Sequence, residues 1–267
     1  MQKKTIVITG ASSGIGRSTA RLLADQGHRV YDLSRSRQPQ EGVTHIPCDV
    51  TDKNSICQAI QTIAEQESRR IDTLILSAGM GIAGAIEFTQ EEEMKRQFDV
   101  NTFGSIRVVQ ALLPIMRKQP IFQGERGRIV FVSSLAGHYA IPFQAMYSAS
   151  KAAINSFAFA LRNELRQFPI QVSCVMPGDV HTAFKRTTDL SGKEVYPHME
   201  KAIAQMERDE ANGLTSEAVA RRILKAATCR SPRLYYTSDW ISDLLRFLSR
   251  LFSSDFATRV VGWMYHC

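Results

Sequence analysis

Tyr147-Ser148-Ala149-Ser150-Lys151 sets a phenol and an ammonium four residues apart. On a helix, residues i and i+4 share a face, so the two groups would stand side by side. An ordinary phenol titrates near ~10 and is a poor base at neutral pH. A neighbouring ammonium favours phenolate and draws that value down. Such a Tyr can protonate the oxygen of a carbonyl that receives hydride, or deprotonate an alcohol that loses it. Taken alone the pair is a weak signal, since most helical Tyr/Lys neighbours are surface residues.

A second group of residues lies at the other end of the chain. Thr5–Thr9 is a short apolar run that ends in Gly10, Gly14 and Gly16. Gly10 suits a sharp turn out of a strand. Gly14 lets backbone approach a ligand, and Gly16 lets a helix pack on the sheet. The helix start then offers free amides and a partial positive charge to a pyrophosphate.

The elements that must position these groups follow from hydrophobic periodicity. Short apolar runs at Thr5–Thr9, Arg29–Leu33, Thr44–Ile46, Leu74–Leu76, Arg128–Ser133, Gln171–Met176 and Leu234–Thr237 read as strands buried on both faces. Helical patterns fill the gaps: Ile15–Gln26 stops at Gly27, and Ile154, Phe157, Ala158, Leu161 and Leu165 form one stripe. This alternation predicts an α/β fold, a single-domain doubly wound parallel sheet of the Rossmann-like kind over residues 1–240. Two stretches break the rhythm. Residues 183–214 are polar and charged, and read either as a helical substrate lid or as a decorative insertion. Residues 241–267 read as an amphipathic C-terminal extension of the same domain. Ile241, Leu244, Leu245, Leu248, Leu251 and Phe252 make its apolar face, and Phe256, Val260, Val261, Trp263, Met264 and Tyr265 continue it. That face would pack on the core, form a dimer interface, cover a cleft, or touch a membrane peripherally.

The spacing Thr9-Gly10-Ala11-Ser12-Ser13-Gly14-Ile15-Gly16 resembles the cofactor loop of the short-chain dehydrogenase/reductase family. Other family motifs then occur in order over Thr5 to Tyr236. Cys48-Asp49-Val50 is similar to the family's adenine-contacting stretch, although Asp49 alone also reads as a loop or capping aspartate. Asn101 heads an N-x-x-G motif, where the family's Asn distorts its helix and holds a water beside the Lys. Ser134 has the family spacing to Tyr147, with Ser133 as the alternative one register away; its hydroxyl would stabilise charge on the substrate oxygen. The resemblance makes Asn101, Ser134, Tyr147 and Lys151 the catalytic set, and has Lys151 hold the nicotinamide ribose as well. An oxidised nicotinamide would also favour phenolate at Tyr147. Pro177, Gly178, Val180 and Thr182 would border the nicotinamide, and Ser12, Ser13, Ile15, Ala78 and Gly79 would complete the cofactor cradle. His181, in the same loop, is expected to point elsewhere. The family's usual Asn after the fourth strand is Ser77 here.

At the end of the second strand an acid would bond the 2′-hydroxyl of NAD, whereas a basic residue accepts the 2′-phosphate of NADP. That position holds Ser34, followed by Arg35 with Arg37 nearby, while Asp32 comes two residues early and points inward or pairs locally. NADP(H) is the expected cofactor and NAD(H) the alternative. The expected function is hydride transfer between nicotinamide and a ketone or secondary alcohol on an apolar body. Residues 196–223 and 231–236 resemble the hydroxysteroid and retinol dehydrogenase branch. The alternatives are a 3-oxoacyl-thioester reductase and a catalytically silent dinucleotide-binding regulatory protein.

Composition agrees with such a chain. Its 267 residues are 44% hydrophobic and 22% charged, enough for a sizeable core. The net charge of +7 favours anionic partners such as a phosphorylated cofactor. No basic helix or aromatic-basic stripe speaks for nucleic acid. Five scattered cysteines with no CxxC exclude a disulfide framework and a structural zinc site, and point to a reducing compartment. No run reaches the ~18 apolar residues of a spanning helix. The expectation is a cytoplasmic protein, a homodimer or homotetramer, with peripheral membrane contact through the tail as the variant.

Overall fold

The computed structural model describes residues 3–267 except 69, 183, 185, 240, 241, 245 and 247–251. Its centre is a seven-stranded parallel sheet. The strands are β1 (Thr5–Thr9), β2 (Arg29–Ser34), β3 (Val43–Pro47), β4 (Thr73–Leu76), β6 (Gly127–Val132), β7 (Ile170–Met176) and β11 (Tyr235–Thr237). Their spatial order is β3-β2-β1-β4-β6-β7-β11, with every neighbour parallel. All seven expected strands are present, with ends moved by one residue at most.

Alternation along each strand sorts the core into two faces. Val7 joins one apolar cluster, while Ile6 and Ile8 join the other. The first cluster is closed by α2 (Lys53–Gln66), α4 (Ser105–Lys118) and α5 (Ala145–Glu164), the second by α1 (Gly14–Asp25) and α7 (Ser216–Thr228). Local chemistry sets the helix ends. α1 stops where Gly27 adopts φ +80° and its N–H bonds Ala24 O. Asp52 accepts from Asn54 N at the start of α2.

Phe157 departs from the expected stripe: it is 41% exposed, while Lys151, Ile154, Asn155 and Ala158 are buried. The face of α5 that meets the sheet is centred on the latter four, and Phe157 lies to one side of it.

Between α3 (Glu91–Phe98) and α4 the chain makes a π-helical turn, Asp99–Gly104. Residues 183–214 are pinned at both ends by small parallel ladders. β9 (Arg186–Thr188) pairs with β5 (Gly81–Ala83), and β10 (Leu214–Thr215) pairs with β8 (Val180–His181). Between them runs α6 (Met199–Ala211). Of the tail face, Ile241, Leu245, Leu248 and Leu251 lie outside the described residues, and Leu244 and Phe252 are exposed. Farther on, α8 (Ser254–Met264) starts at Ser253, whose side chain accepts from Phe256 N. Tyr265 is buried against Ala202 and Met206, so the end of the tail packs on α6. Among the described residues, no helix is long and apolar enough to cross a membrane.

Candidate active site

A cleft of about 780 Å³ runs along the carboxyl ends of the strands, where a doubly wound sheet binds ligands. One end begins at the turn after β1. Gly10 takes φ +71°, and a Cβ at Gly16 would stand 2.3 Å from Gly10 O. Only glycine lets α1 start so close to the turn. Ser13, at its N-cap, makes no side-chain capping bond, and the first turn carries no acid. The amides there face the cleft uncapped by side chains, a seat that fits a pyrophosphate. Gly10, Ser12, Ser13, Gly14, Ile15 and Gly16 all line it.

At the end of β2, Ser34, Arg35 and Ser36 line the cleft, while Arg37 does not. Asp32 is turned away. Its carboxylate accepts from Ala11 N at 3.0 Å and Ser34 Oγ at 2.8 Å, and lies 3.3 Å from His45 Nδ1. Ser34 therefore spends its hydroxyl on Asp32, and Arg35 is the exposed cation at this point. Asp49 and Val50 form the next part of the wall. The Asp49 carboxylate accepts from Thr51 N and Thr51 Oγ1 at 2.9 and 2.7 Å. Those bonds, with Arg35 nearby, hold its carboxyl below the usual range against the opposing effect of burial.

Ala78 and Gly79 also line the cleft, as does Ser77. The departure at Ser77 has a local answer: Thr9 Oγ1 accepts from both Ser77 N and Ala78 N at 3.1 Å. Thr9 thus ties the end of β4 to β1.

The other end of the cleft gathers Ser134, Tyr147 and Lys151 from three different stretches. Ser134 follows β6, accepts from Ala136 N at 3.1 Å, and stands close enough to Tyr147 to lower its phenol's titration. Ser133 faces the other way and donates to Lys151 O at 3.1 Å. The geometry therefore favours Ser134. Lys151 is buried, donates to Val132 O at 3.1 Å, and lies 5.7 Å from the centre of the Tyr147 ring. Asn101 sits in the π turn and clamps the Met80 peptide from both sides, at 2.8 and 2.9 Å. It also donates to Ser150 Oγ at 3.1 Å, on the catalytic helix. A distorted helix at Asn101 is thus present, and its side chain is turned out of that helix to the Met80 backbone and Ser150.

Sequence reasoning missed Gly137 in the turn after Ser134. A Cβ there would meet the Lys151 carbonyl carbon at 2.6 Å and Ala152 N at 2.8 Å. This glycine lets α5 approach the end of β6, which brings Tyr147 to Ser134. The only signal in the sequence was a glycine three residues past the serine.

Burial governs how the pair titrates. Burial pushes the Tyr147 phenol up to about 12, opposed by the Ser134 hydrogen bond and by Arg186. Burial brings Lys151 down to about 8. The Lys151 ammonium is turned to Val132 O. Tyr147 is a protonated acid at neutral pH.

Pro177, Gly178, Val180 and Thr182 line the cleft beside Ser134. His181 is exposed, lies outside it, and has Nδ1 3.1 Å from Ala211 O. Beyond Tyr147 the walls come from residues 183–214 and the tail. Phe184 stands 6.2 Å from the Tyr147 ring, centroid to centroid. Phe256, Val260, Val261 and Met264 of α8 complete the apolar side. Among the tail readings, this placement favours a cover over the cleft. Among the described residues, no group of three or more His, Cys, Asp or Glu stands together as a metal site.

The sequence pattern of short chain dehydrogenases matches residues 4–191. A 3-ketodihydrosphingosine reductase of Bacteroides thetaiotaomicron is 38% identical over 238 residues, covering 87% of this chain and 86% of that protein. The human 17-beta-hydroxysteroid dehydrogenase type 1 is 31% identical, covering 92% of this chain and 81% of that protein. Among solved structures, a short-chain dehydrogenase from Streptomyces avermitilis superposes with a TM-score of 0.77 at 27% identity, over 94% of each chain.

Proposed function

The chain belongs to the short-chain dehydrogenase family, and from that premise we propose that it is an NADP(H)-dependent reductase of ketones on apolar, lipid- or steroid-like bodies. When bound, the nicotinamide supplies hydride to the carbonyl carbon, or takes it up in reverse. The chain's own residues do the rest. Tyr147 gives its phenol proton to the carbonyl oxygen as charge develops there. Ser134 donates a hydrogen bond to the same oxygen and keeps the phenol aligned. Lys151, with its ammonium at the end of β6, would hold the nicotinamide ribose. Asn101 fixes the Met80 loop against α5 and so sets where Lys151 stands.

The observation that carries this reading is one continuous cleft with Ser134, Tyr147 and Lys151 at one end and Arg35 at the other. Arg35 supports NADP(H) over NAD(H): with Asp32 held by Ala11 N and Ser34, the cleft presents a cation to the adenosine ribose. The apolar walls of α8, and relatives named for a keto-sphingosine and a steroid, support an apolar substrate.

The test is consumption of NADPH with a panel of apolar ketones and 3-oxoacyl thioesters. Tyr147→Phe should cut turnover by about 10³-fold while binding NADPH as the parent does. Turnover that survives in Tyr147→Phe would overturn the assignment of the acid. Consumption with thioesters alone would move the substrate class to 3-oxoacyl thioesters.

A further inference from the structure

One peptide at the catalytic end of the cleft is held at both of its polar atoms. It joins Pro177 to Gly178 just after β7, and both residues line the cleft. Its oxygen, Pro177 O, accepts from Leu135 N at 2.8 Å. Ser134 Oγ lies 3.5 Å from the same oxygen, at the outer limit of a hydrogen bond. Its N–H, on Gly178, donates to Ser238 Oγ at 3.3 Å. The peptide is trans and planar, so a hold on the N–H also fixes the direction of the carbonyl. One side of it thus faces the serine that meets the substrate oxygen, and the other faces the root of the tail.

Sheet register brings Ser238 to this place. β11 pairs with β7 through Tyr235–Cys174, Tyr236–Val175 and Thr237–Met176, so the residue after β11 comes beside Pro177. Ser238 is buried, and its own carbonyl accepts from Arg222 Nε of α7 at 3.1 Å. A serine hydroxyl has one proton to give. Ser238 gives it to Asp239 Oδ2 at 3.0 Å, which leaves an oxygen lone pair for Gly178 N. The same carboxylate accepts from Ser242 N at 2.8 Å and from Ser242 Oγ at 2.9 Å, as a helix cap does. A Cβ built on Gly178 would stand 3.8 Å from Ser242 Oγ, so both serines lie against this peptide. Asp239 therefore holds the first turn of the tail and aims the Ser238 hydroxyl with one side chain.

Ser134 needs its proton free for the substrate oxygen. A carbonyl at the limit of bonding distance directs that proton without capturing it. A carbonyl that closed to ~2.8 Å would compete for it, and one that rotated away would leave the hydroxyl unaimed. Resting on the reductase reading above, we propose that Ser238 and Asp239 are positioning residues for the reaction. Through the Pro177–Gly178 peptide they set the Ser134 hydroxyl for the carbonyl oxygen of the substrate. Neither residue lines the cleft, and no bond is made or broken at either.

Amide hydrogen exchange and single-turnover kinetics test this together. In Ser238→Ala the Gly178 amide, read by NMR, should exchange at least ~10-fold faster than in the parent, because its acceptor is gone. Hydride transfer at saturating NADPH and ketone should slow by about tenfold, while the NADPH dissociation constant stays within about twofold. Asp239→Asn, isosteric with the parent, should show both effects at about threefold. It carries the test if Ser238→Ala does not fold. In a Ser134→Ala background, Ser238→Ala should slow hydride transfer by less than about twofold more, since it acts through Ser134. An unchanged Gly178 amide would overturn the proposal. So would equal slowing with and without Ser134, which would make the Ser238 bond a fastening of β11 only. Should the Gly178 amide respond while the parent reduces no ketone, the bond stands as a structural tie. The reductase reading then falls, and the role assigned to Ser238 falls with it.

Discussion

The two ends of the cleft are built by different means. The cofactor end is made of backbone: the turn after β1, the ends of β2 and β4, and glycines whose replacement would meet main-chain atoms at under 3 Å. The substrate end is made of side chains on elements that leave the sheet: Phe184 and Arg186 beside β9, Met206 and Glu210 on α6, and the apolar face of α8. A backbone-built site tolerates little and changes by steric exclusion. A side-chain-built site can be re-lined residue by residue, and there one fold can acquire a particular substrate.

Gly16→Val should break the cofactor end outright. A branched side chain has no room beside Gly10 O, so α1 must shift and NADPH affinity should fall by ~100-fold or more, read by fluorescence titration. Retained affinity would show that the backbone is not what shapes this end. Deleting residues 252–267 should act on the other end alone. KM for an apolar ketone should rise by about tenfold while NADPH affinity stays the same, because α8 supplies hydrocarbon to the substrate wall only. Equal loss at both ends would remove the distinction.

Arg35→Ser should raise KM for NADPH by several-fold and leave KM for NADH in place, since only the 2′-phosphate needs the cation. The smallest effect concerns Lys151. Burial holds its pKa at about 8 against 10.5 for the free side chain. Below about pH 8 it is charged both folded and unfolded, and the folded state carries the burial cost. Between about 8 and 10.5 the unfolded chain binds more protons, so this residue adds stability as pH rises. Lys151→Met should therefore raise the melting temperature at neutral pH by a few degrees. That gain should shrink through this window. A gain independent of pH would mean that the ammonium is not buried as described.

The same contrast explains what could be read from the sequence. The seven strands and the glycine turn were legible because a strand buried on both faces is a continuous apolar run, and a phosphate seat needs glycine at fixed offsets. Tyr147 and Lys151 were legible for the same reason, helical spacing. Thr9 and Gly137 were not: one tethers β4 and the other admits α5, and both roles depend on chain segments distant in sequence. That the Lys151 ammonium turns to Val132 O was not legible either, because four-residue spacing gives a shared face but not a side chain's direction. Glu210 and Arg186 lie 24 residues apart in a polar insertion, and only the β5–β9 ladder and α6 bring them together at the cleft wall.

The most direct test of the central claim follows the hydride itself. With NADPH deuterated at the transferred position of nicotinamide C4, reduction of an apolar ketone should place one deuterium on the new carbinol carbon. The product would be identified by mass spectrometry, and Tyr147→Phe should stop its formation. Cofactor binding without deuterium transfer to any ketone of the panel would contradict the account and leave a dinucleotide-binding protein without turnover.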